Sequence, residues 1–325
     1  MSATSGDEDG QIAKGARAEN HTTLSVVIVT YNCLSELQGC LRSVPAGAGS
    51  VSYEVIIVDN SSFDGTLEWV KRNSVETRVI SNSSNLGFAR ACNQAIQTAR
   101  GQYILILNPD TIVAKGTIQR THEYMERAAK VAAATCKVML PNGKIDPSCK
   151  RDFPSPWDAF CRMIGLSRLF PRSRIFARYD TGYSDENQQQ EVPLIDGCYM
   201  MIRRTALEDI GLFDERFYMY AEEMDWCRRA HLRGWSIGYD PSCSIVHFKG
   251  AITRRSTFRM LYHFHRSMAL YYRKHFSPWN PVRFLIYPGI LFRLVVLMLL
   301  NLVRADRRVS GQSWVKTERA EHPDH

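Results

Sequence analysis

The sequence predicts an α/β protein built on a mostly parallel sheet flanked by helices. Three observations carry this. Four short apolar runs rich in β-branched residues, Leu24–Thr30, Tyr53–Asp59, Thr77–Ser81 and Tyr103–Leu107, have the length of buried strands. Helix-like stretches separate them at the spacing of βα repeats. Polar, small or acidic residues gather where each apolar run stops, which is where open parallel sheets bind ligands.

In chain order, residues 1–22 are polar, lack the apolar core of a signal peptide, and predict a disordered tail. Helices are expected over residues 34–44, over Asp64–Arg72 with Asp64 as cap, and over Leu86–Ala99 with Gly101 at the C′ position. Residues 140–190 contain five prolines and end in Asn187-Gln-Gln-Gln190, which predicts a loop-rich insertion at the sheet edge. Strand character returns over Val192–Ile202, a helix over Glu222–Leu232, a short strand over Gly234–Tyr239, and a helix over 254–276. The expected organisation is a catalytic domain over 23–250, a basic and apolar helical segment over 251–308, and a polar tail over 309–325.

Composition excludes a disordered chain, a disulfide-stapled miniprotein and a fibrous rod, since 45% of residues are hydrophobic and 23% charged. The nine cysteines show no C-x-x-C spacing, so they read as buried reduced thiols rather than zinc ligands. The net charge of +8 is uneven: Lys249–Arg308 holds 12 Lys or Arg against one acid, Asp306, and the remaining residues hold 29 bases and 32 acids. The basic residues there interleave with a long apolar run and no nucleic-acid motif, which favours an anionic membrane surface over a polynucleotide.

Four clusters carry candidate chemistry. Asn108-Pro109-Asp110 follows a buried strand, where a carboxylate can hold Mg²⁺ or Mn²⁺ bridged to a diphosphate, or simply close a turn. Asp59-Asn60-Ser61-Ser62 closes the second strand, where Asp59 can accept a hydrogen bond from a pyrimidine N3–H. Asn85-x-Gly87-Phe88 lies at a helix start that favours anions. Glu222, Glu223 and Asp225 stand within four positions: Glu222 and Asp225 share a helix face and Glu223 points about 100° away. Like charges so close raise one another's pKa, which suits a general base; pairing with Arg228 and Arg229 is the structural alternative. His247 follows a short apolar run and either completes a metal site or packs structurally.

Together, Thr30-Tyr31-Asn32, Asp59-Asn60-Ser61-Ser-x-Asp64-Gly65-Thr66, Asn85-x-Gly87-Phe88-Ala-x-Ala-x-Asn93, Asn108-Pro109-Asp110, Asp196-Gly197, Phe213-Asp214-Glu215 and Glu222-Glu223-x-Asp225 resemble the family 2 glycosyltransferases with a GT-A fold, and among these the rhamnosyltransferase-like branch. The resemblance spans roughly residues 24–277. It implies a Rossmann-like nucleotide-sugar-binding sheet, a dTDP- or UDP-sugar donor, a divalent metal and inversion at the anomeric carbon. It places Thr30, Asn32 and Asp59 on the nucleotide, Asn85 and Gly87 near its ribose–phosphate side, and Asp196 toward a sugar. Tyr31, Asn60, Ser61, Phe88, Asn93, Asn108 and Gly197 are grouped with that site. Asp110 matches the metal-binding acid of D-x-D, although Asn108 replaces the first acid, and His247 matches a histidine that joins the metal. Glu223 matches the catalytic base, with Asp225 the fallback and Glu222 beside it. The branch implies L-rhamnose from dTDP-rhamnose and a lipid-linked saccharide acceptor in cell-surface polysaccharide synthesis. The rival readings are a UDP-hexose or furanose donor, or a catalytically silent binding module.

Between Arg283 and Arg304 the sequence has 20 residues with one charge, Arg293. The length suits a transmembrane helix. A charge near the centre costs about 2.5–3.5 kcal/mol there, and Arg283, Arg293, Asn301 and Arg304 fall within about 80° of one another at the helical period. This polar stripe favours a peripheral or re-entrant helix on the cytoplasmic face of the cell membrane, with Tyr271, Tyr272 and Trp279 at headgroup level. A spanning helix and a buried core or dimer helix, the latter implying a homo-oligomer, are the alternatives.

Overall fold

The structure, a computed structural model, describes residues 22–73, 77–249 and 257–320, with side chains omitted beyond residue 302. All but the last residue of the expected N-terminal tail, and the basic residues Arg254, Arg255, Arg304, Arg307 and Arg308, lie outside the described residues or side chains. The chain divides into two compact units, Met1–Ile252 and Thr253–His325.

In the first unit the apolar runs form strands because their β-branched side chains pack on both faces of a buried sheet. β1 (Leu24–Thr30), β2 (Tyr53–Asp59), β3 (Arg78–Ser81) and β4 (Tyr103–Leu107) are parallel neighbours in the order β3-β2-β1-β4. α1 (Leu34–Ala48), α2 (Thr66–Asn73) and α3 (Phe88–Thr98) are the crossovers. Val26, Val27, Ile28, Ile56, Ile57, Val58, Ile104 and Leu105 form a fully buried centre. Asp64 caps α2 as expected, accepting from the Thr66 N–H at 3.1 Å, and it also accepts from the Leu34 N–H at the start of α1. Gly101 does not cap α3. A Cβ there would lie 2.5 Å from Ser25 N and 2.7 Å from Tyr103 O, so the glycine serves a close backbone approach to β1.

β5 (Thr111–Val113), α4 (Thr117–Arg127) and β6 (Val131–Met139) follow. The proline-rich insertion is less irregular than its composition suggests. It holds β7 (Lys150–Arg151), α5 (Pro156–Met163), which starts with a Ser155/Asp158 capping box, and the one-turn α6 (Leu166–Leu169). β8 (Gln190–Glu191), β9 (Leu194–Ile195), β10 (Tyr199–Arg203), α7 (Arg204–Ile210), α8 (Glu222–Leu232) and β11 (Ser236–His247) complete the unit. The expected strand over Val192–Ile202 is broken at Asp196-Gly197 into β9 and β10. β10 enters antiparallel between β4 and β6, β6 pairs parallel with β11, and β5 closes the edge. β7 and β9 pair antiparallel as a separate ribbon. All nine cysteines are buried and free.

The second unit contains α9 (Thr257–His275) and α10 (Arg283–Ala320), so helix continues where the sequence predicts a polar tail from residue 309. Residues Arg283–Leu302 are long and apolar enough to cross a membrane. Arg293 does not stand alone in that run. Its Nη1 lies 3.3 Å from His265 Nε2, and its guanidinium sits 5.4 Å from the Phe264 ring of α9.

Candidate active site

The carboxyl ends of β1 and β2 are cross-linked by the side chains that the sequence singles out. Thr30 Oγ1 donates to Asp59 Oδ1 at 2.9 Å, and the Ser62 N–H donates to Asp59 Oδ2 at 3.0 Å. Asn32 takes a left-handed φ of 52°; its N–H donates to Ser62 Oγ (2.9 Å) and its Oδ1 accepts from the Phe63 N–H (2.8 Å). Ser61 is left-handed as well, at φ 69°. A carboxylate accepts about four hydrogen bonds, so Asp59 has capacity beyond these two. Phe63, which sequence reasoning passed over, is 82% exposed and meets Tyr31 edge-on at 6.5 Å, placing an open aromatic pair at the carboxyl edge of the sheet.

The loop before α3 is tied to this group and to the approach to α8. Asn60 Nδ2 donates to Gly87 O at 3.2 Å. Asn85 Oδ1 accepts from the Gly87 N–H (3.0 Å) and from Tyr218 Oη (2.8 Å), and the Phe88 N–H donates to Tyr218 O (2.7 Å). Gly87 has φ 89°, and a Cβ there would lie 2.4 Å from Tyr218 O. Gly87→Ala is therefore expected to destabilise by about 1–3 kcal/mol from backbone strain alone, read as a lowered Tm. Asn93 is not with the others. Its amide holds Phe213, donating to Phe213 O (2.9 Å) and accepting from the Phe213 N–H (3.1 Å), which makes it a clamp on the Phe213-Asp214-Glu215 loop.

Asn108 directly follows β4, its N–H donating to Cys198 O at 2.9 Å, and Pro109 turns the chain so that Asp110 is buried opposite His247 at the end of β11. His247 Nε2 lies 3.2 Å from Asp110 Oδ1, an ion-pair distance; that oxygen and His247 Nδ1 are otherwise buried without a hydrogen-bond partner. Burial pulls the imidazole pKa down, and the Asp110 carboxylate outweighs it, so the ring is raised above its ordinary value. Lys249, just beyond, pairs with buried Asp146 at 3.1 Å.

Asp196 and Gly197 form the turn between β9 and β10, with Asp196 Oδ1 accepting from the Cys198 N–H at 3.0 Å. A side chain at Gly197 would sit against Glu223 (3.8 Å) and Phe88 (4.0 Å), so the glycine, the ring and the acid face one space. Tyr220 and Ala221 both take left-handed φ values, 69° and 68°, directly before α8. Such paired strain in non-glycine residues marks a segment held by its surroundings. Glu222 and Glu223 open α8 and are buried. Burial, then the adjacent Glu223 charge, push Glu222 well above the usual carboxylate range, and its Oε2 has no hydrogen-bond partner. Burial also raises Glu223; the Arg151 cation draws it back only in part, and Asp196 adds to the rise. Arg151 of β7, absent from every sequence motif, is held between Glu223 Oε1 and Tyr179 Oη, each at 3.1 Å, with 15% of its side chain exposed. Asp225 belongs elsewhere: it is fully buried and pairs with Arg229 at 2.9 Å, the arginine in turn holding Ile210 O and Leu212 O. The structural alternative thus describes Asp225, while Glu223 keeps its carboxyl beside Gly197.

Among the described residues, no three His, Cys, Asp or Glu side chains converge as a closed metal cage. Asp110 and His247 nevertheless suit a cation that is completed by its substrate. An unpartnered carboxylate oxygen faces an imidazole nitrogen, and Mg²⁺ and Mn²⁺ typically use one or two protein ligands plus phosphates and water.

The fold and the acid-lined edge define a GT-A-like α/β protein. The family glycosyl transferase family 2 matches residues 25–211, more than half of the chain, and the chain belongs to that family and is a glycosyltransferase. It resembles the rhamnosyltransferases within it. It is 27% identical over 301 residues, 88% of this chain and 96% of the relative, to the N-acetylglucosaminyl-diphospho-decaprenol L-rhamnosyltransferase of Mycobacterium tuberculosis. It is 24% identical to rhamnosyltransferase WbbL of Escherichia coli over 69% of this chain and 82% of the relative. The solved structure of GalNAc-T7 with UDP, GalNAc and Mn²⁺ shares the fold, with a TM-score of 0.51 at 16% identity over 71% of this chain and 44% of that one.

Proposed function

We propose that this glycosyltransferase moves L-rhamnose from dTDP-rhamnose to a saccharide carried on a lipid diphosphate, with inversion, at the cytoplasmic face of a membrane and in the synthesis of a cell-surface polysaccharide. The observation that carries the reaction is the Glu223 carboxyl, buried beside Gly197 and held by Arg151. The names of the mycobacterial and WbbL relatives support the sugar, and the mycobacterial name supports the lipid-linked acceptor.

Glu223 removes the proton from the acceptor hydroxyl as its oxygen attacks the anomeric carbon. The new C–O bond forms while the bond to the diphosphate breaks, so configuration inverts and the nucleoside diphosphate leaves. Burial raises the Glu222 carboxyl well above the usual range, which disfavours a second negative charge beside the base. Asp59 accepts from the pyrimidine N3–H, Thr30 orients that acid, Asn32 holds the Ser62–Phe63 turn beside it, and the exposed Phe63 offers a face for the base. Asp110 and His247 would hold Mn²⁺ or Mg²⁺, whose charge stabilises a departing diphosphate when bound.

Chelation with EDTA is expected to abolish product and Mn²⁺ to restore it. His247→Gln should raise the Mn²⁺ concentration needed for half-maximal activity by about 10–100-fold, measured by nucleoside diphosphate release. The reading itself is tested by a donor screen with and without a polyprenyl-diphosphate sugar. Acceptor-dependent release from dTDP-rhamnose supports it. Release from a UDP-hexose or a furanose donor instead reassigns the sugar, and donor binding without release reduces the protein to a binding module.

A further inference from the structure

The second unit contains a cleft of about 520 Å³ formed entirely by its own residues. Arg266, Tyr272, Arg273 and Phe276 line it from α9 and the turn after it, and Arg283 and Tyr287 from the first turns of α10. Arg266 and Arg273 are seven residues apart, so one helix face presents both. Tyr272 stacks on Phe276 at 4.0 Å, and its hydroxyl is buried without a hydrogen-bond partner. Three guanidiniums and an unsatisfied hydroxyl form a site for an anion with several acceptor oxygens. The setting selects which anion. No Asp or Glu occurs from residue 257 to residue 302, against six Lys or Arg. Trp279, between the two helices, is 91% exposed, and Phe284, Leu285, Leu291 and Phe292 stand exposed on α10 just beyond the cleft. A cationic cleft beside an open tryptophan and an apolar helix face matches the level of lipid phosphate, with the acyl chains against α10.

We propose that this cleft binds the phosphate of an anionic phospholipid and so fixes the depth at which the α9–α10 pair sits in the bilayer surface. The proposal rests on the membrane placement above and is independent of the donor. Arg266, Arg273 and Arg283 contact the phosphate oxygens, and Tyr272 Oη donates to one of them. Arg293, held by His265 farther along α10, is not part of the site.

The test is partition of the full-length protein onto phosphatidylcholine vesicles with and without about a third phosphatidylglycerol. The double variant Arg273→Gln/Arg283→Gln is compared with Arg259→Gln/Lys274→Gln, which removes equal charge outside the cleft. The cleft variant is expected to lose about tenfold more binding than the control, and Tyr272→Phe about threefold with no change of charge. Arg273→Lys/Arg283→Lys should retain most of the binding, which separates a lost contact from a misfolded protein. Equal losses in the two glutamine doubles overturn the site in favour of diffuse attraction. Binding of inorganic phosphate without vesicles, abolished in the cleft double, overturns the lipid assignment. Saturation by a polyprenyl diphosphate in phosphatidylcholine, with no response to phosphatidylglycerol, gives the cleft to the acceptor instead. Nucleoside diphosphate release in detergent should be unchanged by these variants, so failure of this site and failure of the transfer reading are read separately.

Discussion

Glu223→Gln is expected to lower the rate of transfer by about 10²–10⁴-fold while donor binding stays near that of the native protein. The substitution keeps the shape of the side chain and its contact with Arg151, and it removes the basic oxygen that we propose takes the acceptor proton. Glu222→Gln is the matched control. Burial and the adjacent Glu223 charge raise that carboxyl well above the usual range, so the amide replaces the acid of the pair that burial most disfavours as an anion. The pH profile carries the same information. Glu223 is raised, and a base works only when deprotonated, so kcat/KM should fall on the acid side above the pH at which an ordinary glutamate titrates. Native-like turnover by Glu223→Gln, or loss in Glu222→Gln alone, would move the base elsewhere.

Much of this site is legible in the sequence because each element of it sits at the end of an apolar run. Thr30, Asp59 and Asp110 follow strands whose β-branched residues announce themselves, and parallel sheets place such ends on one edge. The C-terminal half of the sheet is harder to read. β6 is Val131-Ala-Ala-Ala-Thr-Cys-Lys-Val-Met139, and its alanines favour helix by intrinsic propensity. It is a strand because it is buried between β10 and β11, where tertiary pairing overrides that preference. Gly101 and Asn93 show a second limit. Both fit a local motif, a helix C′ residue and a nucleotide ligand respectively, yet each is fixed by a partner far away in sequence: Leu24 and Ser25 for the glycine, Phe213 for the asparagine.

The three acids at the head of α8 show what burial adds to spacing. Helical geometry separates Glu223 from the face shared by Glu222 and Asp225, but it does not say which carboxylate meets a cation. In the fold, Asp225 turns to Arg229 one helical turn on, a pairing the sequence does display. Glu223 instead meets Arg151, 72 residues earlier and inside the insertion that the sequence reads as loop-rich. No local signal links those two residues. The β7–β9 ribbon brings them together, because Arg151 pairs with Leu194 just ahead of the Asp196-Gly197 turn.

Arg151→Met should therefore have the largest effect on stability of any single change near the site. Removing one member of a buried ion pair leaves the other charge uncompensated and costs about 3–5 kcal/mol. The loss should depend on pH in a definite direction. Without the cation, the folded-state pKa of Glu223 rises further above its unfolded value, so the folded protein binds the extra proton. The variant should be least stable above that raised pKa and recover as pH falls through it toward the unfolded value. The acid limb of kcat/KM should move upward with it, because the Arg151 cation opposes the rise that burial imposes on Glu223. A double variant Arg151→Met/Glu223→Gln separates this from simple loss of packing. With no charge left to strand, it should be more stable than Arg151→Met alone at high pH, a coupling that urea titration can measure. If the double is as unstable as the single, Arg151 acts through its packing against Tyr179, and the ionisation of Glu223 is set by some other group.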